Sequence, residues 1–395
     1  MTLLTRRAAF AAGTAMLAVP SLARAQGAPI RLGTLTPLTG AGGPYGPVMA
    51  NCVRAVIAEV NAAGGVLGRQ VQLVSEDDQT NPEAGVRAAR KLIDVDRVAA
   101  IMGTWASSVT TAVAPLCWES RTFLATVSGA DSITALPHNG WLVRTQPNTT
   151  LQGRKFGEYV LELGAKRAFF MAPQTPFTQS QFTNMKVALE RGGGSADLLI
   201  YDANKPSLRT EVDQALRARP EVIVLGGYTP DSTVLLRDIF RAGFRGKLLA
   251  FAYSVNQQMI GSLPHEVTEG IYTLAPSPAE GSGGFDRVKR IVGSDNPDPY
   301  TCQIYDHVNL VLMAMAAGRD GTGQAIRDSI RRVSQGGGER VDNAVDGLRI
   351  VAAGGKVDYD GASGPCDFTD AGDISDCRFR YEQVRAGRQT LLRIA

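Results

Sequence analysis

The sequence predicts an α/β protein of two lobes, each built on a doubly wound parallel sheet. Short apolar stretches of strand length alternate with amphipathic stretches of helical length along most of the chain, a pattern typical of parallel sheets with helices on both faces. The alternation pauses at 142–147 and then restarts, which indicates a second unit of the same kind. A length of 395 residues also exceeds one ordinary core and favours two lobes.

The first 26 residues are predicted to be a secretory signal peptide rather than part of the fold. Arg6 and Arg7 precede an apolar stretch at 8–19, and Ala-Arg-Ala at 23–25 is typical of a cleavage site. The adjacent arginines favour the twin-arginine export route, and the apolar stretch is shorter than the roughly 20 residues of a membrane span. We therefore expect residues 1–26 to be removed and the mature protein to be periplasmic.

Charge and cysteine content restrict the kinds of partner. The formal net charge of +3 equals the three arginines of the predicted signal peptide, which contains no acid, so no basic field argues for nucleic acid. Three scattered histidines and the lack of a Cys-x-x-Cys motif predict no metal or other cofactor. In an oxidising compartment, Cys366 and Cys377 are the candidate disulfide, because they flank a Gly/Asp-rich turn. The pairing of Cys52, Cys117 and Cys302 stays open.

Four strands and three helices are predicted for the first part of the chain. The strands are 30–36, 71–74, 98–102 and 122–127, and the helices are 45–63, 82–95 and 108–120. The acidic stretch at 76–78 ends the second strand and is interpreted as capping the next turn, with a cation site as the alternative. The order of these elements predicts one parallel sheet.

The same rhythm predicts a second lobe. The helices are 151–163, 178–191, 207–217 and 230–242, and the strands are 167–171, 197–201, 222–225 and 247–251. A further strand at 271–274 and an amphipathic helix at 300–317 then look like a return to the first lobe.

The junction that follows the third strand is the predicted centre of the binding site. The strand at 98–102 ends at Gly103, and a polar turn leads directly into a helix. Unpaired amides at a helix start, together with the hydroxyls of Thr104, Ser107 and Ser108, suit a carboxylate. The alternative is a helix that Ser107 or Ser108 caps, without any ligand.

Several stretches, taken in their order and spacing, resemble the type I periplasmic binding proteins of the leucine/isoleucine/valine-binding family. These proteins are the extracytoplasmic receptors of ABC importers. The matching stretches are 30–40, 56–68, 76–79, 92–103, 107–115, 220–230 with Gly-Gly-Tyr at 226–228, and 269–270.

The resemblance implies two Rossmann-like lobes joined by a hinge of three crossing segments and closing on a small-molecule ligand, either a small amino acid or a related carboxylate or amide. It also implies the membrane permease subunits of an ABC importer as partners. We expect crossings near Arg144, Leu274 and Leu348. The expected division is 29–143 for the first lobe, 144–274 for the second, 275–347 for the return to the first, and 348–395 for the second lobe and C-terminal segment.

The resemblance also implies ligand-binding residues in the first lobe. Ser107 takes the place of the family's carboxylate-binding serine, with Ser108 beside it, and Gly129 and Asp131 lie at neighbouring loop positions. Such loops follow strand ends, where open α/β sheets bind ligands.

Aromatic residues are the remaining site candidates. Tyr228 matches the family's Gly-Gly-Tyr tyrosine, Phe177 falls where a tyrosine-glycine pair usually sits, and Tyr253 falls where amino-acid binders often place an acidic residue. Trp105 and Tyr45 are further wall candidates from first-lobe loops. For each ring, packing within its own lobe is the alternative.

The tyrosine at 253 affects the expected ligand class. A buried α-ammonium needs an anionic partner, and Tyr253 cannot supply one. Asp131 could substitute, but it stands close to the groups expected to hold the ligand carboxylate. The sequence therefore favours a solute-binding receptor for an acid or amide without the α-ammonium, with aromatic acids included, over a receptor for leucine or valine.

Two other functions are alternatives to an importer receptor. A ligand-sensing receptor or regulator for amides or urea could use the same fold. A serine hydrolase acting through Ser107 is least favoured, because Ser107 does not lie in Gly-x-Ser-x-Gly and no motif orients a histidine towards it. The protein is therefore not expected to be an enzyme.

Overall fold

The computed structural model describes residues 27–395, so the predicted signal peptide lies outside the described residues. The first lobe contains a five-stranded parallel sheet in the spatial order β2-β1-β3-β4-β5. The strands are β1 (Ile30–Thr36), β2 (Val71–Asp77), β3 (Ala100–Thr104), β4 (Phe123–Thr126) and β5 (Leu142–Arg144). The helices between them are α1 (Gly46–Ala62), α2 (Pro82–Arg90) with a π-helical turn at Lys91–Val95, and α3 (Ser107–Glu119).

The second lobe repeats the β-α rhythm. Its first strands are β6 (Arg167–Ala172), β7 (Ser195–Ile200), β8 (Val222–Leu225), β9 (Lys247–Phe251) and β10 (Tyr272–Pro276). Its helices are α4 (Thr149–Glu162), α5 (Pro176–Arg191), α6 (Arg209–Arg217), α7 (Thr229–Arg241), α8 (Gln257–Ser262) and α9 (His265–Thr268). Phe170 packs in one core, and Phe169 and Met171 pack in a second, because alternate residues of a strand face opposite sides of its sheet.

After β10 the chain returns to the first lobe for longer than predicted. The returning elements are α10 (Gly283–Val292), α11 (Pro299–Gly318), α12 (Gly323–Ser334), β11 (Glu339–Val341), α13 (Ala344–Ala352) and β12 (Val357–Tyr359). Leu348 lies within α13, which packs against α1 and α11. The prediction of a third crossing near Leu348 is therefore wrong, because the chain joins the second sheet only after β12.

Two C-terminal strands complete the second sheet. They are β13 (Phe379–Arg385) and β14 (Arg388–Ile394), and the spatial order is β14-β13-β10-β9-β8-β6-β7. β13 runs antiparallel to both β10 and β14, whereas the other neighbours are parallel. The predicted α/β class with two parallel-sheet lobes is confirmed, with this antiparallel addition at one edge.

The helix predicted to be amphipathic, α11, is instead enclosed over most of its length. Every residue from Tyr300 to Met315 is buried, because α1, α12 and α13 pack around the helix. Across residues 27–395, the helices lack the combination of length and apolar character that a membrane span needs.

Within residues 27–395 the five cysteines are all unpaired, so the predicted disulfide between Cys366 and Cys377 is absent there. The two sulfur atoms approach different carbonyl groups. Cys366 Sγ lies 3.6 Å from the Gly364 oxygen, and Cys377 Sγ lies 3.1 Å from the Arg378 oxygen.

Acidic residues at the end of β2 organise a turn. Asp77 accepts hydrogen bonds from the Thr39 and Gln79 amides, and Asp78 accepts one from the Thr80 amide. Within the described part of the chain, no group of three or more metal-binding side chains is placed to hold a cation. These contacts favour the capping interpretation of this stretch.

Candidate functional site

A cavity lies between the two lobes, where loops at the carboxyl ends of both sheets meet. The space between its atoms is about 430 Å³, including the part that opens to solvent. The first lobe and the following crossing segment contribute Trp105, Ala106, Ser107, Val127, Gly129, Gln146 and Tyr300. The second lobe contributes Pro173, Thr175, Phe177, Thr178, Gly226, Tyr228 and Tyr253.

Six of the nine predicted site residues line this cavity. They are Trp105, Ser107, Gly129, Phe177, Tyr228 and Tyr253. Their contact with a ligand stays a prediction, but the structure brings together side chains that lie far apart in the sequence.

Ser107 owes its position to the junction between β3 and α3. Gly103 has a φ of +96°, and a Cβ there would come within 2.6 Å of Ile304, so the turn depends on glycine. The N-cap of α3 is Ala106, without a side-chain cap, and Ser107 is the first helical residue. Neither predicted serine caps the helix. The Ser107 hydroxyl oxygen instead accepts a hydrogen bond of 3.2 Å from the Ala130 amide.

Hydroxyl groups tie the neighbouring loop to this junction. Ser128 Oγ lies 2.9 Å from the carbonyl oxygens of both Thr104 and Trp105, and 2.6 Å from Thr110 Oγ1. Thr126 Oγ1 also donates to the Thr104 carbonyl. This network fixes the loop that carries Gly129 against the loop that carries Ser107.

The aromatic rings from the two lobes contact one another across the cavity. The Trp105 ring centroid lies 5.3 Å from that of Tyr228 and 5.7 Å from that of Tyr253. Tyr300 approaches Trp105 edge-on at 5.6 Å. Burial raises the pKa of all three tyrosines above their usual range, so each remains a neutral hydroxyl.

Tyr45 does not line the cavity, contrary to the prediction. Its ring stacks on Trp105, with centroids 5.6 Å apart, and meets Tyr300 edge-on at 5.4 Å. It therefore supports the cavity wall from behind. Ser108, the neighbour of Ser107 in α3, is half-buried and is likewise not among the lining residues.

Asp131 joins the two lobes instead of facing the cavity. Its carboxylate accepts hydrogen bonds from the Thr150 amide at 3.0 Å and from Asn184 Nδ2 at 2.7 Å, both in the second lobe. The prediction that Asp131 is a ligand-binding residue finds no geometric support, because these contacts occupy both carboxylate oxygens.

Four polar residues of the cavity wall were not among the predicted site residues: Gln146, Thr175, Thr178 and Tyr300. Gln146 belongs to the first crossing segment, and its side-chain oxygen accepts a 2.8 Å hydrogen bond from Gln303 Nε2. Tyr300 lies in the first turn of α11. Asp298-Pro299 is a helix-start signal in the sequence, but it indicates only a helix of the segment that returns to the first lobe, without a role in the site.

Apart from tyrosines, the cavity-lining residues of the described chain have no ionisable side chain. The Asp231 carboxylate, near Tyr228, accepts a 2.7 Å hydrogen bond from the Tyr201 hydroxyl and packs against Gly227. Burial raises the pKa of Asp231 to about 6. The arrangement offers aromatic faces and neutral hydrogen-bonding groups, without a counter-charge in the wall.

Comparison with known proteins gives a consistent family assignment. A sequence model described as "Periplasmic binding protein" matches residues 29–377. A similar protein of Halobacterium salinarum, named a chemotactic signal transduction system substrate-binding protein, BasB, is 26% identical over 363 residues, covering 87% of this chain and 84% of its own.

Two solved structures share the fold. The leucine binding protein LivK of Thermotoga maritima has a TM-score of 0.79 at 19% identity and covers 92% of this chain and 98% of its own. An ABC transporter solute binding protein of R. palustris in complex with benzoate has a TM-score of 0.74 at 16% identity, with coverage of 93% and 96%.

Proposed function

The chain belongs to the periplasmic binding protein family, and we propose that it is the extracytoplasmic receptor of an ABC importer for small planar carboxylic acids. On this proposal the two lobes close on the ligand and present it to membrane permease subunits. The observation that carries the proposed ligand class is a cavity wall of aromatic rings and neutral polar groups, with no charged side chain among the described residues that line it.

The carboxylate end of such a ligand would lie at the start of α3. Ser107 Oγ already accepts a hydrogen bond from the Ala130 amide, so its own hydrogen is available for a ligand oxygen. The first amides of α3 have no partner within the helix and add the positive end of its dipole. Together these groups can hold an anion without a basic side chain.

An aromatic body would suit the remaining walls. Trp105, Tyr228 and Tyr253 offer ring faces and edges from both lobes, and flat rings gain from stacked or edge-on contact with them. A ligand in contact with rings of both lobes would favour the closed form over the open one.

An α-amino acid fits this wall less well. On binding, its ammonium would lose its hydration shell without gaining an anionic partner. The Asp131 carboxylate already accepts hydrogen bonds from Thr150 and Asn184. The Asp231 carboxylate already accepts one from Tyr201. An unpaired buried charge costs several kcal/mol even after relaxation. The named leucine-binding and benzoate-bound neighbours share the fold at similar identity, and the wall chemistry of this chain supports an aromatic acid over leucine.

A calorimetric screen tests the ligand class. Benzoate, phenylacetate and benzamide would be titrated beside leucine, isoleucine and valine, and the bound solute would be recovered to check that it is unchanged. We expect micromolar binding of at least one aromatic acid and no turnover. Micromolar binding of leucine that Asp131→Asn abolishes would contradict the proposal.

A sensing role is the second candidate, because one relative bears the name of a chemotaxis component. Uptake of labelled benzoate and the swimming response to it, compared between cells with and without the gene, separate the two roles. Loss of uptake alone supports transport, and loss of the response alone supports sensing.

A further inference from the structure

Arg144 is buried at the first crossing between the lobes, although it belongs neither to the cavity wall nor to any predicted site. Its side chain is 0% exposed, and its Nε donates to Asp373 Oδ1 at 2.5 Å. Asp373 lies in the segment between β12 and β13, which forms the third crossing. The Arg144 amide also donates to the Gly372 carbonyl at 2.9 Å, so the two crossings are joined by backbone and side chain together.

The other nitrogens of Arg144 hold the loop 128–134. Nη1 donates to the Ala130 carbonyl at 2.7 Å and lies 3.4 Å from the Ser128 carbonyl, and Nη2 donates to Thr134 Oγ1 at 3.0 Å. A guanidinium has five N–H donors in a fixed plane, so one residue can hold several acceptors in a fixed mutual geometry. Neither lysine nor a neutral side chain can reproduce that pattern.

The peptide of Ala130 connects the loop 128–134 to the cavity residue Ser107. The Ala130 carbonyl is bonded to Arg144, and the Ala130 amide donates to Ser107 Oγ. Because that amide occupies an acceptor site on the hydroxyl oxygen, the Ser107 hydrogen must point elsewhere, and among residues 27–395 it donates to no protein acceptor. Ser107 is one of the residues that line the cavity.

We propose that Arg144 is a positioning residue of the binding site: held by Asp373, it fixes the Ala130 peptide, which in turn aims the Ser107 hydroxyl into the cavity. The inference rests on the proposed function for its effect on binding. Its effect on the loop itself is independent of any ligand. Asp373 acts through Arg144. A substitution at Asp373 therefore changes the orientation of the Ser107 hydroxyl, although Asp373 itself does not contact the solute.

Asp373→Asn tests the relay, because it removes the charge with little change in shape. Glu382→Gln is the matched control, since Glu382 forms another largely buried pair, with Arg380 Nη2 at 2.9 Å in β13, on a strand that contributes no cavity residue. The first measurement is hydrogen exchange of the Ala130 and Ile133 amides in the unliganded full chain. The Ala130 amide donates to Ser107 Oγ, and the Ile133 amide donates to the Ala130 carbonyl at 3.2 Å.

We expect exchange of these amides to accelerate at least about tenfold in Asp373→Asn and not in Glu382→Gln, a factor at the low end of what a lost charged hydrogen bond causes. Asp373→Glu, which restores the charge, should recover part of the protection. Equal exchange in Asp373→Asn and the control would overturn the proposal. If Asp373→Asn fails to fold, Thr134→Val serves as the second variant, because it removes a single Arg144 contact. It should accelerate exchange of the same amides several-fold. Unchanged exchange in Thr134→Val would also overturn the proposal.

Benzoate titration supplies the second measurement. Asp373→Asn should bind benzoate at least about tenfold more weakly than wild type, whereas Glu382→Gln should bind it equally well. An unchanged benzoate affinity in Asp373→Asn counts against the relay. If wild type itself fails to bind benzoate, the proposed ligand class fails, and the exchange measurement still decides whether Arg144 positions the loop.

Discussion

Ser107 is the residue on which carboxylate recognition depends, and its environment separates binding from capping. Because Ala106 is the N-cap and Ser107 Oγ bonds to a different loop, Ser107→Ala removes no helix cap. We expect the variant to weaken binding of an aromatic acid by about 1.5–3 kcal/mol, the range for a hydrogen bond to a charged group. Calorimetry measures the affinity, and thermal unfolding of the unliganded protein measures the stability.

The adjacent serine provides the control for this prediction. Ser108 lies in the same helical turn but outside the cavity wall, so Ser108→Ala should leave the affinity unchanged. A Ser107→Ala protein that loses stability but binds the acid normally would show that the hydroxyl serves the fold alone.

The buried carboxyl group of Asp231 should make the stability of the protein depend on pH. Burial raises its pKa from 3.8 to about 6, so the folded protein holds this proton more tightly than the unfolded chain. The contribution of Asp231 to the free energy of unfolding should therefore fall as pH rises from 4 to 6, by up to about 3 kcal/mol. Chemical denaturation of wild type and Asp231→Asn across this range measures the difference.

The prediction concerns the difference in the free energy of unfolding between wild type and Asp231→Asn, because His307 changes the stability of both proteins with pH in the opposite direction. Burial lowers the pKa of His307 to about 3, so its contribution makes the protein more stable as pH rises from that value towards 6.5. That contribution cancels in the comparison. Parallel pH profiles for wild type and Asp231→Asn would mean that the carboxylate is not perturbed in the fold.

At the scale of the element, the sequence predicted β1 to β4 and β6 to β10, but not β5, the short parallel pair β11 and β12, or the two C-terminal strands. β8 and β9 have the predicted bounds because both are short apolar stretches between helices. In β13, by contrast, Arg380 and Glu382 are buried as a pair, and the register shifts after Tyr381. Buried charges and a bulge hide the alternation by which an antiparallel strand is recognised.

The same limit applies to the candidate site. Residues after strands, such as Ser107 and Tyr228, could be predicted because the carboxyl ends of parallel strands form ligand sites. Tyr300 could not, since it starts a helix in the returning segment and reaches the cavity only through the packing of α11 beneath β3. The third crossing was likewise misplaced, because α13 and β12 carry no sequence signal that says which lobe they join.

Gly129 lies where the first lobe packs closely against the second, so a larger residue at this position tests whether the lobes close on the ligand. A Cβ at this position would come within 2.8 Å of both Gln152 and Phe177, which belong to the second lobe. Since real Cβ contacts this short are essentially never seen, Gly129→Ala should act as a wedge and weaken binding of every ligand by a similar factor. Parallel titrations with the acids of the screen measure this.

Gly261→Ala is the control for the wedge, because Gly261 lies in a helix with open space around its added Cβ. It should bind like wild type. If Gly129→Ala binds all ligands normally, the lobes need not come this close in the liganded protein.

At the scale of the whole molecule, the two lobes contact each other beside and across the cavity. Rings of the first lobe contact rings of the second across the cavity, with Trp105 and Tyr228 at 5.3 Å. Asp131 adds polar contacts between the lobes beside the first crossing. A ligand can shift the protein towards this arrangement only by binding it more tightly than the open one.

Small-angle scattering therefore tests the hinge directly. We expect the radius of gyration of the unliganded protein to exceed the value calculated from the structure, and a saturating aromatic acid to bring the two into agreement, because the ligand contacts both walls and is released only when they part. Gly129→Ala should stay expanded at the same ligand concentration, whereas Gly261→Ala should contract as wild type does. An acid that calorimetry finds bound, but that leaves the radius of gyration unchanged, would place the binding site outside the cleft and would remove the basis for assigning it to Ser107 and the aromatic walls.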